Sequence, residues 1–570
     1  MFPKTVPKKN YRKRHQVIKE DIRFAIKEAL ENCYQQGTLS SRDVPAEIQL
    51  EVPKNPDHGD YATNLAMMLA RFEGKAPRQI ADTLAVSLRR SDLFATVDIA
   101  GPGFINFRLA VGYWATTLHR IHDEQERFGR SLVGQGVRVQ VEFVSANPTG
   151  PLHIGHGRGA VVGDALASIL DAAGFDVQRE YYINDAGNQV QTLGRSILLR
   201  LRELRGETID FPEDGYQAPY IVELATRLLQ EQGALAGVAE EEAINRCARF
   251  GVEQVLAWIG ADLEAFGIRF DNWYSEQSLF DRNMVEQELA RLADKELTYR
   301  EDGALWLRTT DFGDDKNRVL IKSDGSYTYF ASDVAYHLEK FDRGFDRVID
   351  VWGADHHGYI PRMKAMLEGF GLPAESLEVL LIQMVNLLRD GQPFVMGKRS
   401  GNFITLREVI DEVGRDACRF FFLMRRCDSQ LDFDLELAKQ NSSDNPVYYV
   451  QYAHARICSI NRNAAELGIE QPAARQFDFN LLTLDEEIAL IRQLSRFPEA
   501  VEGAALHYEP HRVIFYLQDL AALLHGYYNR HRVLIDEKPV TYARLYLVNA
   551  VRIVLANALS LLGVSAPEKM

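Results

Sequence analysis

The chain has 570 residues, of which 46% are hydrophobic and 25% are charged, and its formal net charge is −15. This length is too great for one hydrophobic core and predicts three or four domains, while the lack of a run of about 18 apolar residues argues against a membrane protein. The five cysteines are scattered without a CxxC pair, which argues against a disulfide framework and a structural zinc site and favours a reducing cytoplasm.

Residues 1–15 form a basic segment with six Lys or Arg residues and no acidic residue. The segment lacks an apolar core and contains two prolines, so it does not resemble a targeting signal. The negative net charge of the whole chain opposes non-specific binding to nucleic acid, although basic residues can still gather on one face. Residues 1–15 therefore fit either a flexible arm that contacts RNA or an inert tail.

Residues 16–130 predict a compact α+β domain. The spacing of apolar residues predicts helices over residues 20–36, 62–72 and 77–88. Alternating or β-rich stretches predict strands over residues 48–52, 97–99 and 101–108, and turn-forming residues separate these elements.

The stretch of residues 137–173 predicts a strand, a glycine-rich turn and a helix. Apolar residues alternate up to Phe143, and helical spacing follows from Val162 until Gly174 stops it. The turn between them contains His153 and His156, and a turn of this kind at the start of a helix binds phosphate groups. A plain turn with two surface histidines is the simpler alternative. A dinucleotide-binding fingerprint fits poorly, because these glycines space as GxGxxxG.

The chain then continues as an α/β unit with a helical insertion over about residues 194–271. A second strand ends at Asn184, Asp185 and Asn188, which places polar side chains where open α/β sheets bind ligands. Further strands are predicted to return near residues 270–276, 304–307, 318–321 and 348–351, and the last delivers the turn of residues 353–358. The histidines of this turn and of the first turn do not have the spacing of a zinc site.

A second glycine-flanked loop lies at residues 390–402 and contains Met396, Lys398 and Arg399. A Lys-Arg pair in such a loop is usually solvated surface. The alternative is that its cations meet the same phosphates as the histidine turn.

Residues 436–570 predict an all-helical domain that contains aromatic and basic residues at helical spacing. Such stripes are often core, but they also form stacking platforms for unpaired bases. The candidate RNA-contacting residues are Tyr448, Tyr452, Arg456, Tyr527, Tyr528 and Arg530.

Residues 153–156, with Asn147 six positions before them, resemble the HIGH signature of class I aminoacyl-tRNA synthetases. Residues 396–400 resemble the KMSKS loop, although Val395 stands where that loop begins with lysine. Segments 58–64, 101–107, 181–189 and 554–570 resemble the arginyl-tRNA synthetases, so the resemblance covers the chain after its basic tail. It implies that ATP activates arginine as an adenylate, from which the arginyl group passes to the terminal adenosine of tRNA.

The resemblance implies a class I Rossmann-like α/β catalytic domain at residues 131–435, between an N-terminal α+β domain that touches tRNA and a C-terminal α-helical anticodon-binding domain. It implies catalytic roles for His153, His156, Lys398 and Arg399. ATP contacts are expected from Gly155, Gly157, Gly353, Asp355, His356 and Met396. Arginine contacts are expected from Glu142, Asn147, Tyr329 and Asp333. The expected substrates are ATP with Mg²⁺, arginine and its tRNA, and we expect a cytoplasmic monomer without a membrane partner.

Asp333 is the residue on which amino-acid choice is expected to depend. It follows Tyr329 by four positions, so the two share one face if the segment is helical. A carboxylate there matches the planar, five-donor guanidinium group. The alternative is that Asp333 only caps the helix that follows.

Three other functions were weighed against arginine ligation. A class I synthetase for another amino acid is the nearest, although the absence of clustered Cys and His argues against a cysteine-specific zinc pocket. A nucleotidylyltransferase would have no use for the long C-terminal helical region. A tRNA-binding regulator without catalysis would not need both signature histidines and Lys398.

Overall fold

The structure is a computed structural model that describes residues 18–40, 48–53, 55–233, 235–393, 404–469 and 478–570. Its N-terminal unit is an antiparallel three-stranded sheet of order β1-β3-β2 covered by helices. The elements of this unit are α1 (Ile18–Gln35), β1 (Tyr61–Thr63), α2 (Leu65–Glu73), α3 (Pro77–Leu88), β2 (Phe94–Ala100), β3 (Phe104–Leu109) and α4 (Val111–Glu124).

Two details of this unit differ from the expectation. The stretch 48–52 makes only an isolated bridge between Glu51 and Ala62, so the predicted strand there is wrong. The helix predicted from residue 62 begins at Leu65, because residues 61–63 pair with β3 instead. Pairing with a neighbouring strand outweighs the local helical spacing at this point.

The central unit begins with alternating strands and helices, as predicted. Its elements up to the third strand are β4 (Arg138–Glu142), α5 (Ile154–Ala172), β5 (Asp176–Ile183), α6 (Asn188–Leu204), α7 (Pro219–Gln232), α8 (Glu240–Ala265) and β6 (Asn272–Ser275). The helical insertion is thus present, and its first helix starts at Asn188. Helix α5 starts at Ile154, eight residues before the predicted position, so the HIGH residues lie in its first turn.

The second half of the central unit carries a small antiparallel sheet and then completes the main sheet. Its elements are α9 (Gln277–Asp281), α10 (Met284–Asp294), β7 (Thr298–Glu301), β8 (Ala304–Leu307), β9 (Arg318–Ile321), α11 (Tyr329–Asp342), β10 (Arg347–Gly353), α12 (Ile360–Phe370) and β11 (Leu377–Ile382). After β11 come β12 (Val385–Arg389), β13 (Gln392–Pro393), α13 (Leu406–Val413), α14 (Arg415–Leu423), β14 (Leu431–Asp434) and α15 (Leu435–Lys439). Strands β7, β11, β12, β13 and β14 were not predicted.

The main sheet is parallel, with strand order β11-β10-β4-β5-β6. Strand β4, the first strand of this sheet in the sequence, therefore lies between β5 and β10. The crossovers on its two sides lead to opposite edges of the sheet. In open α/β sheets a crevice at the carboxyl ends of the strands beside such a reversal binds the ligand. The register places Asp350, Glu142 and Glu180 in one row across β10, β4 and β5.

The C-terminal unit is helical, as predicted. Its long helices are α16 (Pro446–Glu466), α17 (Asp485–Ser495), α18 (Phe497–Leu506), α19 (His511–Arg530) and α20 (Lys538–Leu561). In the described part of the chain, α20 is long and apolar enough to span a membrane, with a mean hydropathy of 1.3, but 67% of that window is buried inside the protein. A core helix of a helical bundle has the same properties.

The three units pack against one another. The ring of His122 on α4 stacks on Tyr546 of α20 at 3.7 Å, and Asp60 forms a 2.8 Å ion pair with Arg492 of α17. The fully buried Arg419 of α14 pairs with Asp164 of α5 and donates to the carbonyl oxygens of Phe266 and Leu562.

Candidate active site

The two signature histidines cap the N-terminus of α5. His153 is the N-cap, and its Nδ1 accepts a hydrogen bond from the Gly155 amide at 3.1 Å. Nδ1 of His156 accepts from the His153 amide at 3.3 Å, and the rings stack 3.8 Å apart. Burial and the nearby His153 lower the pKa of His156 to about 3. Neutral His156 thus keeps its proton on Nε2, where it can donate to a phosphate.

The glycines of this turn have different surroundings. Gly155 is exposed at the helix start, so its backbone is accessible to a phosphate. Gly157 is buried, and a Cβ there would lie 2.8 Å from Leu406 and 3.1 Å from Phe422. Gly157 therefore allows close packing of α5 on these side chains, and its contact with ATP stays a prediction.

The chain that follows the KMSKS-like loop lies beside this turn. Lys398, Arg399, Met396 and Val395 lie outside the described residues. Thr405, which caps α13, forms an isolated bridge with His153, and the Leu406 amide donates to Leu152 at 2.8 Å. Thr405 and Leu406, which follow the loop in the sequence, therefore lie directly beside the two histidines.

The end of β10 forms an open edge of the same crevice. Gly353, Asp355 and His356 are exposed, and His356 lies edge-on to Trp352 at 6.4 Å. They lie at or just after the end of β10, which is next to β4, where the direction of the crossovers reverses. This position fits the predicted contact with a nucleotide.

A pocket of acidic side chains lies beside the crevice. Asp333 on α11 accepts a hydrogen bond from the Tyr359 hydroxyl, and Asp185 after β5 accepts from Ser275 at 2.6 Å and from the Gln277 amide at 2.9 Å. Burial, together with the charges of Asp333 and Asp185, raises the pKa of Glu276 to about 7. Burial also raises the pKa of Asp333. In the described chain no Lys or Arg side chain forms an ion pair with these three carboxylates, which we call the open acidic pocket (Asp185, Glu276 and Asp333).

The partners of Glu276 are neutral. Its carboxylate is buried and interacts with the Tyr182 hydroxyl and with Ser332. A buried carboxylate without a cation is costly until a cation reaches it. The pocket therefore has the charge and the acceptor oxygens that a guanidinium group needs.

The other predicted arginine-binding residues lie in different environments. Asn147 donates to the side chain of Gln189 at 2.7 Å, and Tyr329 is 66% exposed at the first position of α11. Thr328 caps α11, since its hydroxyl accepts from the Ala331 amide. Asp333 is the fifth residue of the helix, so the alternative that it is a cap is wrong.

Glu142 belongs to a second acidic cluster that contains its own cations. Lys340 Nζ donates to Glu142 Oε2 at 2.6 Å and to Asp350 Oδ1 at 3.0 Å, and Arg343 forms two hydrogen bonds with Glu180 at 2.6 and 2.9 Å. We call this group the compensated cluster (Glu142, Glu180, Asp350, Lys340 and Arg343). The other carboxylate oxygen of Glu142, Oε1, accepts a hydrogen bond from the Ser145 hydroxyl at 2.9 Å. Only this oxygen faces the loop that follows β4.

The predicted RNA-contacting residues form a ladder on α16 and α19. The ring of Tyr448 stacks on Tyr452 at 5.8 Å, and the Arg456 guanidinium lies 4.6 Å from the Tyr452 ring and 4.4 Å from that of Tyr528. Arg530 stands apart and pairs with Glu486 at 2.9 Å. Tyr527 is fully buried and donates to Glu487, so its ring is core and is not available for stacking.

Glu276, Asp185 and Tyr182 were not predicted as arginine-binding residues. Asp185 and Glu276 both directly follow strands that end at the ligand edge, which was the available signal. Their convergence on Asp333 depends on the neighbouring positions of β5 and β6 in the sheet. Within the described residues no group of three or more His, Cys, Asp or Glu side chains is arranged to hold a metal ion.

Three family models match the chain. The arginyl tRNA synthetase N terminal domain matches residues 17–109, and the catalytic domain of tRNA synthetases class I (R) matches residues 121–205 and 240–426. The DALR anticodon binding domain matches residues 450–570. The matches follow one another in the order of the three structural units.

Individual proteins are similar over almost the full length. The chain is 62% identical to the arginine–tRNA ligase of Syntrophotalea carbinolica and 56% identical to that of Geobacter sp. strain M21, over 97% of this chain and 100% of each relative. The solved arginyl-tRNA synthetase of Thermus thermophilus is 26% identical, with a TM-score of 0.77 over 97% of this chain and 100% of that chain.

Proposed function

The chain belongs to the arginyl-tRNA synthetase family and joins arginine to tRNA with the use of ATP, and we propose that the open acidic pocket is where it selects arginine. The observation that carries this proposal is a set of three buried or half-buried carboxylates with no Lys or Arg ion pair among the described residues, at the same carboxyl edge of the main sheet as the capped histidine turn. This pocket chemistry also favours arginine over the neutral amino acids of other class I enzymes.

In this proposal Asp333 and Glu276 hold the guanidinium group of arginine. Planar N–H donors match carboxylate oxygens, and the Tyr182 hydroxyl supplies one more acceptor. Tyr329 covers the entrance from its exposed position, while Glu142 Oε1 and Asn147 meet the polar end of the amino acid next to the turn. The arginine carboxylate then faces the α-phosphate of ATP.

The histidines and the KMSKS-like loop would stabilise the charge that develops on the phosphates. His156 is neutral and donates through Nε2, so it contributes a hydrogen bond without repelling the cations of the loop. Lys398 and Arg399 supply positive charge, and Met396 and the backbone of Gly155 contact ATP. Gly353, Asp355 and His356 hold the nucleoside at the end of β10.

Magnesium would be carried on the ATP phosphates. A Mg²⁺ ion in such sites is usually held by substrate phosphates and one or two carboxylates, so an all-protein cage is not required. When bound, it neutralises phosphate charge. Asp355, whose carboxylate is exposed at the edge of the crevice, is the described acidic residue best placed to meet it.

The tRNA would contact both ends of the chain. The proposed domain boundaries are residues 1–15 for the basic tail, 16–130, 131–435 and 436–570. Anticodon bases would stack on Tyr448, Tyr452, Tyr528 and Arg456, because this aromatic and cationic ladder is partly exposed and its rings are already spaced for stacking. We also propose that Arg530 meets the RNA backbone and that the protein is a cytoplasmic monomer.

The catalytic assignment is tested with His156→Ala and Lys398→Ala. Each variant should lower the kcat of ATP–pyrophosphate exchange, measured with arginine and tRNA present, by about 100-fold, because the lost interactions strengthen in the transition state. The KM for arginine should change much less. Near-normal exchange in both variants would remove these residues from the mechanism.

The RNA surface is tested with Tyr452→Ala, matched with Tyr527→Phe in the core. Loss of one stacking platform should weaken tRNA binding by about 1–3 kcal/mol, whereas Tyr527→Phe should leave the Kd for tRNA unchanged. The Kd is measured by filter binding at fixed salt, and kcat for exchange reports whether the active site is intact. Equal Kd values for Tyr452→Ala and the parent would make the ladder a structural feature only.

A further inference from the structure

Arg158 lies on α5 two residues after His156 and is fully buried. Its Nη1 donates to the carbonyl oxygens of Gln383 at 3.0 Å and Ser429 at 2.7 Å, and its Nη2 donates to the carbonyl oxygen of Arg426 at 2.7 Å. Among the described residues it forms no ion pair with a carboxylate. A buried charge that binds only backbone carbonyls is unusual for a residue that merely fills space.

The three carbonyl groups lie at the two ends of one connecting segment, residues 383–429, whose residues 394–403 are outside the described part of the chain. Gln383 directly follows β11, and residues 426–429 return the chain toward β14. The Gln383 amide also donates to the Cys427 carbonyl at 2.9 Å, so both ends lie side by side. The guanidinium group of Arg158 therefore connects both ends of this segment to α5.

The far part of the connecting segment packs on the first turn of the same helix. Thr405 bridges to His153, the Leu406 amide donates to Leu152, and the side chains of Leu406 and Phe422 lie against Gly157. The segment thus touches α5 at the helix start through β-type contacts and at Arg158 through its two ends. Together these contacts determine how far the segment lies from His153 and His156.

Only arginine suits this geometry. Its guanidinium is planar and rigid, so two nitrogens can reach three carbonyl groups in fixed directions, whereas lysine offers donors from a single point on a flexible stem. Burial lowers the pKa of Arg158, opposed by Cys427 and Asp428, and the carbonyl groups supply the solvation that water would otherwise give.

We propose that Arg158 is a positioning residue for adenylate formation, which holds both ends of the connecting segment in register with His153 and His156. The proposal rests on the proposed function, in which these histidines meet the ATP phosphates. A displacement of about 1 Å between groups that act on one transition state can cost about 100-fold in rate.

The test compares Arg158→Lys with Arg419→Lys. Both arginines are fully buried and bind backbone carbonyls, but Arg419 lies within the segment and pairs with Asp164 on α5. Arg419 also donates to the carbonyl oxygens of Phe266 and Leu562, so its contacts lie away from the two ends of the segment. Arg158→Lys should lower the kcat of tRNA-dependent ATP–pyrophosphate exchange by about 100-fold with little change in the KM for arginine. Arg419→Lys should lower the Tm with little change in kcat when assayed well below that Tm.

Hydrogen–deuterium exchange supplies a readout that does not depend on activity. Peptides from residues 383–393 and 404–413 should exchange faster in Arg158→Lys than in the parent, and they should be unchanged in Arg419→Lys. Parental exchange kinetics and parental kcat in Arg158→Lys would overturn the proposal. An equal loss of kcat in Arg419→Lys, or failure of Arg158→Lys to fold, would also overturn it by making Arg158 a stability residue.

A parallel Lys398→Ala measurement separates this inference from the proposed function. If Lys398→Ala keeps normal pyrophosphate exchange, the proposed role of the loop fails, while faster deuterium uptake in Arg158→Lys would still establish the positioning contact. If Lys398→Ala is inactive and Arg158→Lys is normal by both readouts, only the inference about Arg158 fails.

Discussion

The compensated cluster and the open acidic pocket lie next to each other on α11 and differ in one respect, the presence of cationic side chains. In the first, Lys340 and Arg343 bind Glu142, Asp350 and Glu180 directly. In the second, the hydrogen bonds to Asp185, Asp333 and Glu276 come from hydroxyl groups and a backbone amide, and no Lys or Arg side chain of the described residues pairs with them. Charge that is paired within the fold stabilises the sheet, whereas charge left unpaired at the ligand edge is available to a cationic substrate.

A connection between the two groups makes the comparison sharper. His337 lies one turn after Asp333 and joins the carbonyl oxygen of Asp333 to the Asp350 carboxylate, at 2.8 Å on each side. Tyr336 lies 2.9 Å from Glu142 and 2.7 Å from Glu180. One face of α11 is therefore held by the compensated cluster, and this rigid support positions Asp333 in the open pocket.

The largest expected effect is the loss of stability in Lys340→Met. This change leaves Glu142 and Asp350 buried without their shared cation, which should lower the free energy of unfolding by about 3–5 kcal/mol. Burial opposes the charge of Lys340, but Asp350 and Glu142 raise its pKa above the ordinary range. The raised pKa means that this stability is fully present below the unfolded pKa of about 10.4 and is lost only at higher pH.

Urea unfolding followed by circular dichroism measures the change at neutral pH. Lys439→Met is the matched control, since Lys439 pairs with Glu412 and Glu436 at the surface and such pairs contribute little. An unfolding midpoint for Lys340→Met equal to that of the parent would mean that the cluster does not stabilise the sheet.

The next effect concerns Asp333→Asn and should fall on substrate binding. Loss of the carboxylate leaves the guanidinium of bound arginine without its main partner, so the KM for arginine should rise by about 100-fold or more while the KM for ATP stays near its parental value. Stability should be unchanged or higher, because burial raises the pKa of Asp333 and its charge is costly in the unliganded protein. Aminoacylation kinetics and a thermal melt measure the two outcomes.

Asp350→Asn is the matched change in the compensated cluster. It should lower the melting temperature, because Lys340 and His337 hold the pKa of Asp350 low despite burial. The comparison between the two acidic groups fails if Asp333→Asn destabilises the protein as much as Asp350→Asn does.

The smallest expected effect is pH dependent and concerns Glu276→Gln. Burial, Asp333 and Asp185 raise the pKa of Glu276 from 4.5 to about 7, so the free protein loses stability as the pH rises through this range. Removing the charge should therefore stabilise the unliganded protein by up to about 3 kcal/mol near pH 8 and have almost no effect near pH 4. With saturating arginine, the parent should be more stable than Glu276→Gln, because the bound guanidinium pairs with the Glu276 carboxylate.

Thermal melts across pH, with and without arginine, measure this effect. Glu180→Gln should have the opposite sign at pH 8, because Arg343 and Lys340 lower the pKa of Glu180 although burial opposes this. Stabilities of the parent and Glu276→Gln that run parallel from pH 4 to 8 would show that Glu276 does not titrate in the pocket.

The sequence by itself was enough to identify the family, the α/β class and the three units in order, because signature turns and the spacing of apolar residues are local properties of the chain. It also placed Tyr329 and Asp333 on one segment and the two histidines at a helix start. One of its candidate RNA-contacting residues was placed differently by the structure, because Tyr527 lies in the core.

Only the tertiary structure decided which acidic residues are compensated and which are open. Glu142, Asp185 and Glu276 lie at or just after the ends of parallel strands, Glu180 lies within one of them, and no local pattern distinguishes the compensated carboxylates from the open ones. Lys340 reaches Glu142 because the sheet order places β10 beside β4, and Glu276 reaches Asp333 because β6 lies beside β5 under the start of α11. Charge compensation is a property of long-range neighbours, and these are determined by the crossovers of the fold.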